Sequence, residues 1–237
     1  MVRFVEWKSA KKALQRAPSS FVCSPEDTVE IAFLGHSCFR LRGKEVTLIT
    51  DPYTPAPGDA PIKAQADIVT ISHDHSRHNQ ALAVAGEPRI INGPGEYEIR
   101  GVLISGVATF HDSASGKRLG GNTVYVIQMD DLRLCHLGDL GHVLSTEQVD
   151  EIGAVDVLFV PARGPVIDAA QAAEVISQIE PSIIVPMHYA ASDEAGLATI
   201  EKFCHEMGLR QIVPQPKLNV TRASLPPETQ VVVLEAR

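Results

Sequence analysis

Between Ser72 and Asn79 the chain reads SHDHSRHN, which places histidines at positions 73, 75 and 78 with Arg77 among them. A neutral imidazole offers a lone pair to Zn, Fe or Mn, and three within six residues concentrate ligating capacity in one short stretch. Residues of the same chemistry stand at His111 with Asp112, at Asp139 in GDLGH and at His188 in PMHY. Each follows an apolar run: DIVTIS before His73, GVATF before His111, LCHLG before Asp139 and SIIVPM before His188. Loops at the C-terminal ends of strands are where α/β proteins collect binding groups, so all of these positions are expected to meet in one pocket.

Residues i and i+2 of an extended segment share a face, so His73 and His75 should aim at one point while Asp74 turns away. A helix over SRHNQALAVAG would then return His78 to that point from its first turn. The remaining histidines, His36, His136, His142 and His205, read as polar loop or surface groups, with His36 also a candidate for a place beside the ligands.

The elements that must position these residues are legible as short extended runs in the first half: TVEIAFLG, CFRLRG, EVTLIT and ADIVTIS. RIINGPGEYEIRGVLISGVATF continues the pattern around a Gly93-Pro94-Gly95 turn, and NTVYVIQMDDLRLCHLG reads as a hairpin closing at Asp130 and Asp131. Helices come later. STEQVDEIG opens with a capping box of Ser145 and Gln148, DAAQAAEVISQIE has Asp168 as N-cap, and DEAGLATIEKFCHEMG stops at Gly208. The strands VDVLFVP and SIIVPMHY alternate with them, and TQVVVLEA forms one more. Meandering strands followed by strands interleaved with helices predict two sheets packed face to face with helices outside, a four-layer αββα sandwich forming one α/β domain over residues 1–237.

At 237 residues with 44% hydrophobic content, the chain can bury a full core. A net charge of −8 argues against a broad grip on nucleic acid or on an anionic membrane surface. Cys23, Cys38, Cys135 and Cys204 are scattered with no C-x-x-C pair, which argues against a disulfide framework or a thiolate zinc site and favours a reducing cytoplasm. Residues 1–16 carry five basic residues and one acidic one without the apolar core of a signal peptide, so residues 1–20 read as a peripheral segment. No apolar run reaches the roughly 18 to 20 residues that would span a bilayer.

Together these motifs resemble the metallo-β-lactamase fold superfamily, and within it the UlaG-like, lactonase-like branch of Zn-dependent hydrolases. The likeness rests on His73-Asp74-His75-Ser76-Arg77-His78 against the signature H-x-H-x-D-H, on the loops at His111, Asp139 and His188, and on FLGHSCFRL, ITDPY and GPGEYEIRGV. It runs from about Val29 to His188. The resemblance implies that His73, His75 and His111 hold one metal, that His78 and His188 hold a second, and that Asp139 bridges the two. It also implies a hydrolysis in which metal-activated water attacks an ester, lactone, amide or phosphodiester. By analogy Asp51 would orient ligands from behind.

Arg77 departs from the signature, which has aspartate there as a second-metal ligand. A guanidinium has five donors and no acceptor and stays protonated, so it cannot ligate. The expectation is one tightly held Zn, with Mn or Fe as alternatives, and a weakened second site. Asp139 and Arg77 are then the candidate catalytic residues, with Arg77 gripping an anionic small-molecule substrate or stabilising an oxyanion. Two other readings stand beside this one: a non-catalytic, ligand-binding member in which Arg77 pairs with Asp139, and a nuclease or phosphodiesterase. Oligomeric state is not legible.

Overall fold

The computed structural model describes residues 27–54, 62, 64–162, 167–189, 194–208 and 212–236. The apolar runs become strands of two sheets. The first has the order β12-β1-β2-β3-β4-β5, with β1 at Val29–Gly35, β2 at Cys38–Arg42, β3 at Thr47–Thr50, β4 at Ile68–Thr70, β5 at Arg89–Ile91 and β12 at Leu218–Val220. The second has the order β13-β11-β10-β9-β8-β7-β6, with β6 at Gly95–Ile99, β7 at Val102–Phe110, β8 at Gly121–Met129, β9 at Leu132–His136, β10 at Val157–Pro161, β11 at Ile183–Met187 and β13 at Gln230–Val231. The Gly93-Pro94-Gly95 turn carries the chain from β5 in one sheet to β6 in the other, and the β8–β9 hairpin turns on Asp130 and Asp131, whose φ values of 47° and 61° suit a tight reversal.

Three α-helices are described: α1 at Thr146–Ile152, α2 at Ala169–Ile179 and α3 at Glu194–Glu206. The first two link the parallel strands β9, β10 and β11, which is the connection that parallel pairing demands. Both begin with the reciprocal bonds expected from sequence. Ser145 Oγ accepts from Gln148 N while Gln148 Oε1 accepts from Ser145 N, and Asp168 and Gln171 repeat the arrangement. α3 ends just before Gly208, whose φ of 79° suits glycine.

All five residues of β10 and of β11 are buried, as strands covered on both faces should be. Phe39 of the first sheet meets Phe159 of the second with ring centroids 4.5 Å apart, and packs on Phe33 of its own sheet at 4.9 Å. Each ring is fully buried, contributing about 1.5–3 kcal/mol to sheet-on-sheet packing. The expected sandwich of two sheets with helices is therefore present as one domain.

Two local expectations fail. No α-helix follows His78: the chain makes a turn and then only a 3₁₀ segment at Ala81–Ala83. The His75 carbonyl accepts from both His78 N and Asn79 N, but Gln80 N is drawn off to Pro52 O at 2.8 Å, and that tertiary bond breaks the helical ladder. The tail expected as TQVVVLEA pairs as a strand only at Gln230–Val231, with an isolated bridge at Leu234. The peripheral segment expected at residues 1–20 lies outside the described residues. Among the described residues no helix is long and apolar enough to cross a membrane.

Candidate metal centre

Strand direction brings the chemical residues to one end of the sandwich. β1 and β3 are both antiparallel to β2, and β4 is parallel to β3, so His36 after β1, Asp51 after β3 and the histidines after β4 share an end. In the other sheet β7 and β9 are both antiparallel to β8, while β10 and β11 run parallel to β9. His111 after β7, Asp139 after β9 and His188 after β11 therefore also share an end. Bonds across the sandwich join the two ends: Thr123 N donates to Ser72 O at 2.8 Å, Tyr125 Oη to Ile71 O at 2.9 Å and His136 Nε2 to Ser37 O at 2.9 Å.

Asp139 lies at the centre. Its Oδ1 is 2.9 Å from His188 Nε2, and its Oδ2 is 3.1 Å from His111 Nε2, 3.3 Å from His78 Nε2 and 3.8 Å from His73 Nε2. Three overlapping groups have all their ligand atoms within 4.8 Å of one another: His73 with His111 and Asp139, His73 with His75 and His78, and His36 with His78 and His188. The Nε2 atoms of His73, His78, His111 and His188, the Nδ1 of His36 and the Oδ1 of Asp139 are buried without a hydrogen-bond partner among the described residues. Their short separations lack hydrogen-bonding angles, so these atoms face common points rather than each other. Leaving so many buried polar atoms unmatched costs about 1–3 kcal/mol each, and a divalent cation is the ligand that satisfies imidazole nitrogens and a carboxylate together. The residues present fit a metal.

The charges agree with this chemistry. Burial works against ionising Asp139, yet His188, His111 and His78 hold its carboxyl far below the usual carboxylate range. Burial likewise works against protonating His78, but the Asp139 carboxylate beside it and the bond to Asp51 outweigh this and raise the imidazole to about 9. His73 is lowered to about 4, mainly by burial and then by the neighbouring His78. Burial, His188, His78 and Arg77 lower His36 to about 2.

A second layer of bonds aims the rings. Asp51, fully buried and with φ of 39°, accepts from Ser72 N at 2.7 Å, from Ser72 Oγ at 2.7 Å and from His78 Nδ1 at 2.8 Å. Its carboxyl is depressed despite burial, chiefly through the His78 bond. Because the Ser72 hydroxyl donates to Asp51, it accepts from His73 Nδ1, 3.0 Å away. Both rings thus carry the proton on Nδ1 and present Nε2 to the pocket. Asn122 Oδ1 accepts from Asp139 N at 2.9 Å, and Gly138, at φ 57°, leaves the room that Asn122 and Ser72 occupy. Gly141 seats the Asp139 loop directly on the backbone of His111 and Asp112.

The structure thus brings His73, His75, His78, His111, Asp139 and His188 together, with His36 and Asp51 beside them. It corrects the route by which some arrive. His73 and His75 are not paired by strand alternation, because β4 ends at Thr70 and a tight turn follows, with His75 N donating to His73 O. His75 is exposed at the rim, its ring stacked 5.8 Å from that of His73. Asp74 faces away, as expected, and bonds to Asn79. Arg77 is exposed, and the Asp139–Arg77 pair is absent: among the described residues, the ion pairs of Asp139 are with imidazoles. His136 is no surface group but fully buried, donating to Ser37 O and accepting from Gly138 N, so both its nitrogens are used. Sequence reasoning missed Ser37, Ser72, Asn122, His136, Gly138 and Gly141. For Ser72, Gly138 and Gly141 the available signal was their place inside TISHDH and GDLGH.

The family model for the beta-lactamase superfamily domain matches residues 30–188, from β1 to the His188 loop. A UPF0173 metal-dependent hydrolase of Thermococcus onnurineus is 30% identical over 190 residues, covering 68% of this chain and 84% of that protein. Another, from Thermoplasma volcanium, is 28% identical over 216 residues, with 79% and 96% covered. Among solved structures, a metallo-β-lactamase superfamily protein of Thermotoga maritima is 37% identical with a TM-score of 0.70, covering 88% of this chain and all of that one. Igni18, a metallo hydrolase of Ignicoccus hospitalis, shares the fold at 21% identity and a TM-score of 0.58. Motif loops, sandwich and relatives converge, and the chain belongs to the metallo-β-lactamase superfamily, among homologues of the UPF0173 metal-dependent hydrolases.

Proposed function

We propose that the protein hydrolyses an ester, lactone or phosphodiester bond of a small anionic molecule with one tightly held divalent ion at His73, His75, His111 and Asp139. The observation that carries this reading is the set of buried, unpartnered imidazole nitrogens around one carboxylate. An ion held there would supply Lewis-acid polarisation of the scissile group and acidify a water that serves as nucleophile. Three imidazoles and one carboxylate suit Zn best, with Mn or Fe as alternatives.

The chain's own groups divide the remaining work. Asp51 and Ser72 hold the His73 and His78 rings, so the ligand geometry is set before substrate arrives. Asp139, buried and anionic, would hold the ion through its carboxylate and could accept a hydrogen bond from a water bound there. Arg77, exposed on the same loop as His73, His75 and His78, offers a fork of donors to a carboxylate or phosphate of the substrate. The −8 net charge disfavours a nucleic-acid substrate. The GHS, DPY and PGEYEI stretches favour the UlaG-like branch within the superfamily. Cys38, Cys135 and Cys204, buried as free thiols, suit a cytoplasmic location.

The test is elemental analysis of protein purified without added metal, beside a chelator-treated sample, followed by assays on lactones, carboxylic esters and phosphodiesters. About one equivalent of metal and a chelator-sensitive hydrolysis of one class are expected. Hydrolysis unchanged by complete metal removal, or no metal uptake on resupply, would end this reading.

A further inference from the structure

His136 ends β9 inside an apolar cluster, fully buried, with its ring centroid 6.2 Å from that of Phe39 and 5.9 Å from that of Phe159. An imidazole in such a place needs partners for both nitrogens. Nδ1 accepts from Gly138 N at 3.2 Å, and Nε2 donates to Ser37 O at 2.9 Å. A backbone N–H can only donate and a carbonyl can only accept, so the ring is neutral with its proton on Nε2. That is the opposite tautomer to the one fixed in His73 and His78. Burial acts in the same sense, lowering the imidazole from its ordinary value.

Both partners lead to the candidate metal centre. Gly138, at φ 57°, directly precedes Asp139, whose own N–H is held by Asn122. Ser37 lies in the turn between β1 and β2. Its Oγ is 3.0 Å from His78 Nδ1, beside the Asp51 bond, and its carbonyl also accepts from Thr50 Oγ1 at 3.0 Å. The ring therefore spans the seam, from the loop that presents Asp139 in one sheet to the turn that backs His78 in the other. Bonds at both nitrogens of a rigid ring fix a separation, which an aliphatic side chain of similar volume cannot do.

We propose that His136 is a positioning residue: its Nε2–H imidazole is a strut that sets the distance between the Asp139 loop and the Ser37 turn, and with it the approach of Asp139 and His78 to the ion. His136 itself touches neither ion nor substrate. The effect on the ion rests on the function proposed above, whereas the strut is a property of the metal-free chain.

The experiment compares the full-length parent with His136→Gln, His136→Leu and Phe159→Leu. Glutamine carries a donor and an acceptor on one amide and can remake both bonds, whereas leucine fills space and makes neither. Phe159→Leu loosens the same cluster without removing a side-chain bond to either loop. The readouts are the His136 tautomer from nitrogen NMR shifts, exchange of the Gly138 and Asp139 amides in metal-stripped protein, and Zn²⁺ affinity by competition with a fluorescent chelator. In the parent the proton should sit on Nε2 alone. His136→Leu should speed exchange of both amides at least about tenfold beyond any change at the Val126 amide in the core. It should also weaken Zn²⁺ binding about 10–100-fold, with His136→Gln within about threefold of the parent. Phe159→Leu should lose stability yet keep Zn²⁺ affinity within about threefold. Should His136→Leu not fold, His136→Asn, too short to span both partners, replaces it with the same expectation. A proton on Nδ1, glutamine no better than leucine, or Phe159→Leu as damaging to affinity as His136→Leu would overturn the inference. Faster exchange in His136→Leu with unchanged Zn²⁺ affinity would also overturn it, leaving the ring a packing element alone. A parent that takes up no Zn²⁺ would instead sink the function proposed above, and the positioning role with it.

Discussion

The backbone N–H of His188 donates to the carbonyl oxygen of His36 at 2.7 Å, joining two left-handed histidines from different sheets. One follows β1 and the other follows β11, 152 positions apart by their numbers in the chain. This bond, with Thr123 to Ser72 and His136 to Ser37, latches the two sheets at the end where the imidazoles gather. The candidate metal centre is therefore built on the seam of the sandwich. Substitutions that loosen the seam should act on metal binding and on stability together.

Asp51→Asn is the most direct probe of the layer behind the ligands. The amide keeps the shape but places a donor where Ser72 N, Ser72 Oγ or His78 Nδ1 now donates. One buried donor is left facing another, so stability should fall by about 1–3 kcal/mol. Metal affinity should fall about 10–100-fold, the usual cost of losing a bond behind a ligand. Competition with a fluorescent chelator measures the second effect, and unchanged affinity would show that Asp51 does not orient His78.

Gly141→Ala should damage the centre without touching a ligand. A Cβ there would stand 2.3 Å from the carbonyl carbon and oxygen of His111 and 2.4 Å from Asp112 N, all backbone atoms that cannot swing away. Gly93→Ala is the matched control, with nothing within 4 Å of its added methyl. Thermal melts of metal-loaded protein should show a clear loss for Gly141→Ala and almost none for Gly93→Ala. Equal melting temperatures would contradict the packing described for the Asp139 loop.

The metal-free chain should be most stable near pH 6.5. His78 is raised from 6.5 to about 9, so its contribution is complete below 6.5 and is lost as pH rises through 9. His36 and His73 are lowered, to about 2 and about 4, so their contributions are present above 6.5 and fade as pH falls. Protonated His78 stands 3.3 Å from the Asp139 carboxylate and its charge opposes a cation there, so metal affinity should rise with pH up to about 9. Denaturant melts and metal titrations from pH 5 to 9 check both slopes. A stability maximum at pH 9 in the metal-free protein would mean that His78 is not held by Asp51 and Asp139.

Arg77→Asp restores the carboxylate of the signature and removes the nearby positive charge. The second metal site, expected from the sequence to be weakened, should tighten. Anionic substrates should show a raised KM, because a donor fork has become a like charge, while neutral esters keep theirs. Metal content and the KM ratio of paired anionic and neutral substrates report the two effects separately. No change in either would place the guanidinium outside the site's reach.

Much of this protein is written locally. The strands were legible because apolar residues recur with their period, and the helix starts because Ser145 with Gln148 and Asp168 with Gln171 make bonds only three residues apart. The chemical set of His73, His75, His78, His111, Asp139 and His188 was legible because each residue ends an apolar run, and strand ends gather where parallel strands are joined by helices. Sequence alone could also state that position 77 carries a cation where an acceptor is expected. Tertiary contacts decided the rest. Whether SRHNQALAVAG would be a helix depended on Pro52 capturing the N–H of Gln80, and whether His136 was a surface group depended on Ser37 arriving from the other sheet. His36 read as a loop histidine with a candidate place beside the ligands, and what decides that place is the approach of His78 and His188, residues 42 and 152 positions away by their numbers. Pairings over such distances are set by strand register and sheet packing, which follow from burial of the whole core and leave no mark in the residues on either side of His36.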